Sequence, residues 1–125
     1  MKQEEKLQTA ISNYLKLQYP NVIFTAESSG IRLPIGLAKK AKEHRNPARG
    51  LPDISIFYPN EKYYGLFFEL KIKSPYLKNG DISINKHIQE QAKVLKRLNE
   101  LGYLAMFVWS FEMAHGIIDS YMKNK

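Results

Sequence analysis

Cysteine is absent from all 125 residues. That excludes disulfides, thiolate zinc sites and cysteine nucleophiles, and it fits an intracellular, cytoplasmic protein. Long apolar runs are absent too. Nothing approaches the roughly 18 residues a membrane span needs, so no membrane partner is expected. The opening stretch MKQEEKLQTAISNYL is charged where a secretory leader has its apolar segment, so no leader is expected. Acidic residues are scarce relative to basic ones: 12 Asp and Glu face 19 Lys and Arg, giving +7 and a pI near 9.5. Eight Tyr, six Phe and one Trp carry too much apolar mass for a chain that stays a solvated coil. The length predicts one domain over residues 1–125, with one hydrophobic core.

The positive charge is concentrated. Residues 31–50 hold Arg32, Lys39, Lys40, Lys42, Arg45 and Arg49 against Glu43 alone. Such a stretch in a basic domain is the electrostatic footprint of a polyanion, and nucleic acid is the expected partner. An anionic membrane fits less well, because the stretch lacks a broad apolar face. His44, inside it, is a further candidate phosphate contact.

Apolar spacing predicts a helix over 3–18, with Leu7, Ile11, Tyr14 and Leu15 on one side and Pro20 beyond its end. Residues 22–25 read as a short strand and 27–31 as a loop. Residues 37–44 read as helical. Strands are expected at 54–58 and 63–73, paired antiparallel through the Asn60 turn. A helix over 85–101 is closed by Gly102. The apolar run 104–109 reads as a central strand, and 111–122 as a last helix. The fold class is therefore α/β of the α+β kind, a mixed sheet flanked by helices.

Chemistry-bearing residues gather within that frame. Glu69 and Lys71 are two apart on one strand and share a face, leaving Phe68, Leu70 and Ile72 to an apolar face. Asp53 begins the neighbouring strand, after Gly50-Leu51-Pro52, and the hairpin brings it towards Glu69. Two adjacent carboxylates repel, and a divalent cation relieves that repulsion. With oxygen ligands and no cysteine, Mg²⁺ is expected, with Mn²⁺ as its substitute. Lys71 then stands beside the metal. Glu4 and Glu5 both lie at the start of the first helix; periodicity places Glu4 on the apolar stripe. Gln91 precedes Val94, Leu95 and Leu98 by three, four and seven residues and so faces the sheet. Its partner there is Lys71, a phosphate or a metal-bound water.

The set Asp53…Glu69-Leu70-Lys71 resembles the core motif of the PD-(D/E)xK nuclease superfamily. More closely, the chain resembles the stand-alone phage-type members of the VRR-NUC family. The likeness runs through Glu4-x-x-x-Gln8, Gly50-Leu51-Pro52-Asp53, Gly65 to Lys71, and Gln91 with Leu98 and Gly102-Tyr103. The resemblance implies a restriction-endonuclease-like core and a Mg²⁺-dependent endonuclease that leaves a 5′-phosphate. It implies Asp53, Glu69 and the Leu70 carbonyl as metal ligands, and Glu4 on the metal or its water. It implies Lys71 as the catalytic lysine and Gln91 as a supporting residue. It also implies a homodimer cutting branched DNA such as a Holliday junction, in a phage or its bacterial host. Two other readings compete: a catalytically silent nucleic-acid-binding module, and an RNA-processing endonuclease of related fold.

Overall fold

Helix-forming, apolar-striped sequence at both ends brackets a run of β-branched and aromatic segments, and the elements follow that pattern. The structure, a computed structural model, describes residues 2–26 and 52–123. The expected loop at 27–31, the expected helix at 37–44 and the basic set Arg32, Lys39, Lys40, Lys42, His44, Arg45 and Arg49 lie outside the described residues.

In chain order the elements are α1 (Gln3–Gln18), β1 (Ile23–Ala26), β2 (Ile54–Phe57), β3 (Leu66–Leu70), α2 (Lys86–Glu100), β4 (Leu104–Val108) and α3 (Phe111–Lys123). The four strands form one sheet in the order β1-β2-β3-β4. The first two pairings are antiparallel, and β3 runs parallel to β4. A parallel neighbour needs a crossover, and α2 supplies it. The described chain is therefore α+β, a mixed sheet flanked by helices.

Strand alternation divides the core in two. Ile54, Ile56, Leu66, Phe68, Leu70 and Val108 face α1 and α3, where they meet Ile11, Leu15, Ala114 and Ile118. Phe67, Ala105 and Phe107 face the other way and pack with Leu95 of α2. Helices thus cover both faces of β3 and β4. This explains the unbroken apolar run of β4, which was expected to mark a central strand. In fact β4 lies at the end of the described sheet, and β3 is its most enclosed strand. Where β4 has no strand beside it, the Asn99 amide takes the place of one. Its Nδ2 donates to the Ala105 carbonyl at 3.0 Å, and its Oδ1 accepts from the Ala105 N–H at 2.9 Å.

Two local devices set the ends of elements. In the β2–β3 connection, the Asn60 carboxamide accepts from the N–H groups of Lys62 and Tyr63 at 2.9 and 2.8 Å. That turn takes up residues expected to be strand, so β3 starts at Leu66 rather than at 63. At the end of α2, Gly102 has φ +102°, and a Cβ there would lie 2.6 Å from the Tyr64 ring. Replacing Gly102 with Ala combines left-handed backbone strain with a clash, so it should destabilise by about 1–2 kcal/mol. The melting midpoint should fall by roughly 5 °C; an unchanged midpoint in a thermal scan would refute this.

α1 and α3 are clasped at the surface. The hydroxyls of Tyr14 and Tyr19 both donate to Asp119 Oδ1, at 2.6 and 2.7 Å. These bonds hold the Asp119 carboxyl below the usual range. Among the described residues, no helix is long and apolar enough to cross a membrane.

Candidate active site

The register of β2 against β3 builds the site. Ile54 pairs with Phe68, so one step further along the ladder Asp53 stands across from Glu69. Residues directly opposite one another share a face, and that face is the one carrying Phe67 and covered by α2. Asp53 is 8% exposed. Its Oδ2 accepts from the Leu70 N–H at 2.8 Å, which fixes the carboxylate against the end of β3.

Glu69 comes within hydrogen-bonding reach of Asp53. Burial, then the neighbouring Asp53 charge, pushes Glu69 up to about 8. Burial likewise raises Asp53, opposed by the Leu70 N–H and by Glu69. The metal-free pair therefore keeps a proton near neutral pH. Lys71 follows β3 directly, and its N–H donates to the Val108 carbonyl at 2.9 Å. Its positive charge lowers both carboxyls, whereas the negative charge of Glu4 raises both.

From the crossover helix, Gln91 Nε2 donates to Glu69 Oε1 at 2.7 Å. Glu69 is thus the direct partner, where Lys71, a phosphate or a metal-bound water had been expected. The other end of that amide, Oε1, is buried with no hydrogen-bond partner among the described residues. Replacing Gln91 with Leu removes the bond that orients Glu69. If Glu69 holds a metal, the mutant's apparent Mg²⁺ requirement should rise by about 10–100-fold with little change in melting midpoint. An unaltered Mg²⁺ titration would show that the bond is only structural.

Asp53, Glu69, Lys71, Gln91 and the charge of Glu4 therefore converge, contributed by the ends of β2 and β3, by α2 and by the first turn of α1. The convergence is not complete. Among the described residues no three carboxylate or imidazole groups draw together as one metal-holding set. Glu4 acts at a distance while Asp53 and Glu69 touch. Ile72, expected on the apolar face with Phe68 and Leu70, lies past the end of β3 and is 57% exposed. Ser55, which sequence reasoning passed over, is fully buried on the Asp53 face, its Oγ unpartnered among the described residues. Nothing in its sequence context signals this.

Comparison with protein-family models and with curated proteins gives no match. Solved structures do match. One, described as a "VRR_NUC domain protein", superimposes with a TM-score of 0.62, covering 98% of this chain and 89% of that one, at 22% identity. The chain has the VRR_NUC fold. The mixed sheet and the parallel β3–β4 step are consistent with a restriction-endonuclease-like core. In the VRR_NUC fold as this chain builds it, the acidic pair lies where β2 begins and β3 ends.

A divalent cation fits the donors that are present. Asp53 and Glu69 offer carboxylate oxygens, which are hard ligands, beside the backbone carbonyl of Leu70. A cation would displace the retained proton, and water on it would give the orphaned Gln91 Oε1 a donor.

Proposed function

We propose that this chain is a divalent-metal-dependent DNA endonuclease of the stand-alone phage type. In this reading it hydrolyses phosphodiester bonds in branched DNA, such as a four-way junction, as a homodimer. One observation carries the reading. Two carboxyls are held together at a sheet end, both raised by burial, with a lysine charge beside them and a glutamine bonded to one.

Asp53, Glu69 and the Leu70 carbonyl would hold Mg²⁺ or Mn²⁺, and Glu4 would reach it through water. The bound ion supplies Lewis-acid activation of water and neutralises charge on the phosphate. The chain's own residues do the rest. Lys71 sets a fixed positive charge where the phosphate oxygens gain negative charge during in-line attack. Gln91 keeps Glu69 in one orientation. The Leu70 N–H keeps Asp53 in place, so little rearrangement is needed in the transition state. Basic residues Arg32, Lys39, Lys40, Lys42, His44, Arg45 and Arg49 would grip backbone phosphates without reading bases.

The test is a gel assay on supercoiled plasmid, linear duplex and a four-way junction, with Mg²⁺ or with EDTA. Metal-dependent cutting, faster on the junction, is the expected result. DNA that is shifted but intact in every lane would instead favour a silent binding module.

A further inference from the structure

The positive charge of the chain resides in two places. One is the basic stretch 31–50. The other is residues 71–86, where Lys71, Lys73, Lys78 and Lys86 face Asp81 alone. The remaining residues, with nine basic and ten acidic side chains, are close to neutral.

This second stretch is an excursion from the site that returns to it. It leaves at Lys71, two residues after Glu69, and re-enters α2 five residues before Gln91. Glu69 and Gln91 are bonded to each other at 2.7 Å. The turn between them is built. Tyr76 and Ile82 form an antiparallel bridge. Leu77 N–H donates to the Asp81 carbonyl at 2.7 Å, and Ser83 N–H to the Pro75 carbonyl at 2.8 Å. Gly80, at φ +91°, closes the tip. Pro75 is buried, and the Tyr76 ring lies edge-on to Phe107 and Trp109 at 6.3 and 6.0 Å.

The outer surface of this turn is both basic and apolar. Leu77 is 43% exposed and Ile84 is 84% exposed, in the same turn as the exposed Lys73, Lys78 and Lys86. Cations alone suffice to hold phosphates. Exposed aliphatic side chains set among them gain nothing from a phosphate, and a stacked duplex hides its base faces. Apolar wedges do find partners where base steps are opened.

We propose that the turn 73–86 is a nucleic-acid contact that confers preference for unstacked DNA, its lysines holding phosphates and Leu77 and Ile84 pressing on exposed bases. The proposal rests on the nucleic-acid reading of the neighbouring site, and it assigns structure preference to residues of one chain.

The experiment measures binding without metal, by fluorescence anisotropy, in the full chain carrying Asp53→Asn. The probes are a linear duplex and the same duplex with a three-nucleotide bulge. Lys73→Ala with Lys78→Ala should weaken binding to both DNAs and flatten the log–log salt slope by about two. Leu77→Ala with Ile84→Ala should leave duplex binding and its salt slope unchanged and weaken bulge binding by about fivefold or more. Thermal midpoints within experimental error of the parent establish that the variants are folded. An unchanged salt slope in the lysine variant, an equal loss on both DNAs in the aliphatic variant, or no binding by the parent overturns the proposal. Because cutting is not read, a chain that binds but never cleaves would sink the nuclease reading and leave this one standing.

Discussion

Replacing Asp53 with Asn should abolish metal-dependent cleavage, by about 10³-fold or more, while DNA binding in EDTA is retained. Asn keeps the size of the side chain, and its carboxamide oxygen can still accept from the Leu70 N–H, the bond that now measures 2.8 Å. What it loses is the negative charge that a cation needs. Removing one preorganised charge-stabilising group typically slows a reaction by about 10²–10³-fold, and a lost metal ligand also empties the site at ordinary Mg²⁺ concentrations. The measurement is initial cleavage rate on a four-way junction, with Mg²⁺ varied to saturation. An Asp53→Asn protein that cuts at the parental rate would remove Asp53 from the chemistry, and the proposed metal site with it. Failure to fold is excluded by a cooperative thermal transition with a midpoint no lower than the parent's and by an unchanged anisotropy titration.

The second large effect is on stability, and its sign depends on pH and metal. Glu69 ordinarily titrates near 4.5 and is pushed up to about 8 in the fold. Between those values the unfolded chain has lost the proton and the folded chain keeps it. The metal-free protein should therefore lose stability as pH climbs from about 5 to about 8, and level off above that. Given its coupling to Asp53, the full effect is roughly 2–4 kcal/mol. Glu69→Gln carries no charge and still accepts from Gln91. It should flatten this dependence and raise the metal-free midpoint at pH 8 by roughly 5–10 °C, with little effect near pH 5. Mg²⁺ reverses the comparison. Binding to the folded wild type should raise its midpoint at pH 8, and Glu69→Gln should not respond. A thermal scan series at several pH values, with and without Mg²⁺, tests all of this. Equal slopes for parent and variant would mean that the carboxyl pair is not strained.

How much of this was legible in the sequence differs from element to element. The helix over 3–18 was readable to the residue because its apolar spacing and Pro20 agree. The helix of residues 86–100 was readable because Ile88, Val94, Leu95 and Leu98 recur on one side and Gly102 ends it; that Asn85 caps it, its side chain accepting from Ile88 N–H at 3.2 Å, is seen only in the structure. The antiparallel meeting of Asp53 with Glu69 followed from alternation and a turn. The position of β4 did not. A strand covered on both faces has the same apolar run whether it is central or terminal, and only the pairing partners distinguish them. Ile72 was misplaced because alternation was carried past Leu70, where the strand stops. The partner of Gln91 was undecidable from spacing, since a helix face fixes a direction but not the atom it meets. The segment after Lys71 reads as a loop from Pro75 and Asn79-Gly80, but its basic character was not legible because its four lysines are spread over sixteen residues rather than clustered.

One feature of the sheet bears on how such a chain changes over generations. Ala26 of β1 sits directly opposite Ile54 of β2, so the two strands meet as though joined by a tight hairpin, although residues 27–53 separate them in sequence. Closing so long a connection instead of a short turn costs only about 2 kcal/mol, because the penalty grows with the logarithm of length. The register of the sheet therefore places little constraint on that interval. Changes of length between Ala26 and Pro52 should leave Asp53 facing Glu69, because that pairing is set by β2 and β3. In the proposed reading, grip on substrate and bond-breaking chemistry would therefore be free to change separately, the second being pinned by the ladder of backbone bonds between β2 and β3.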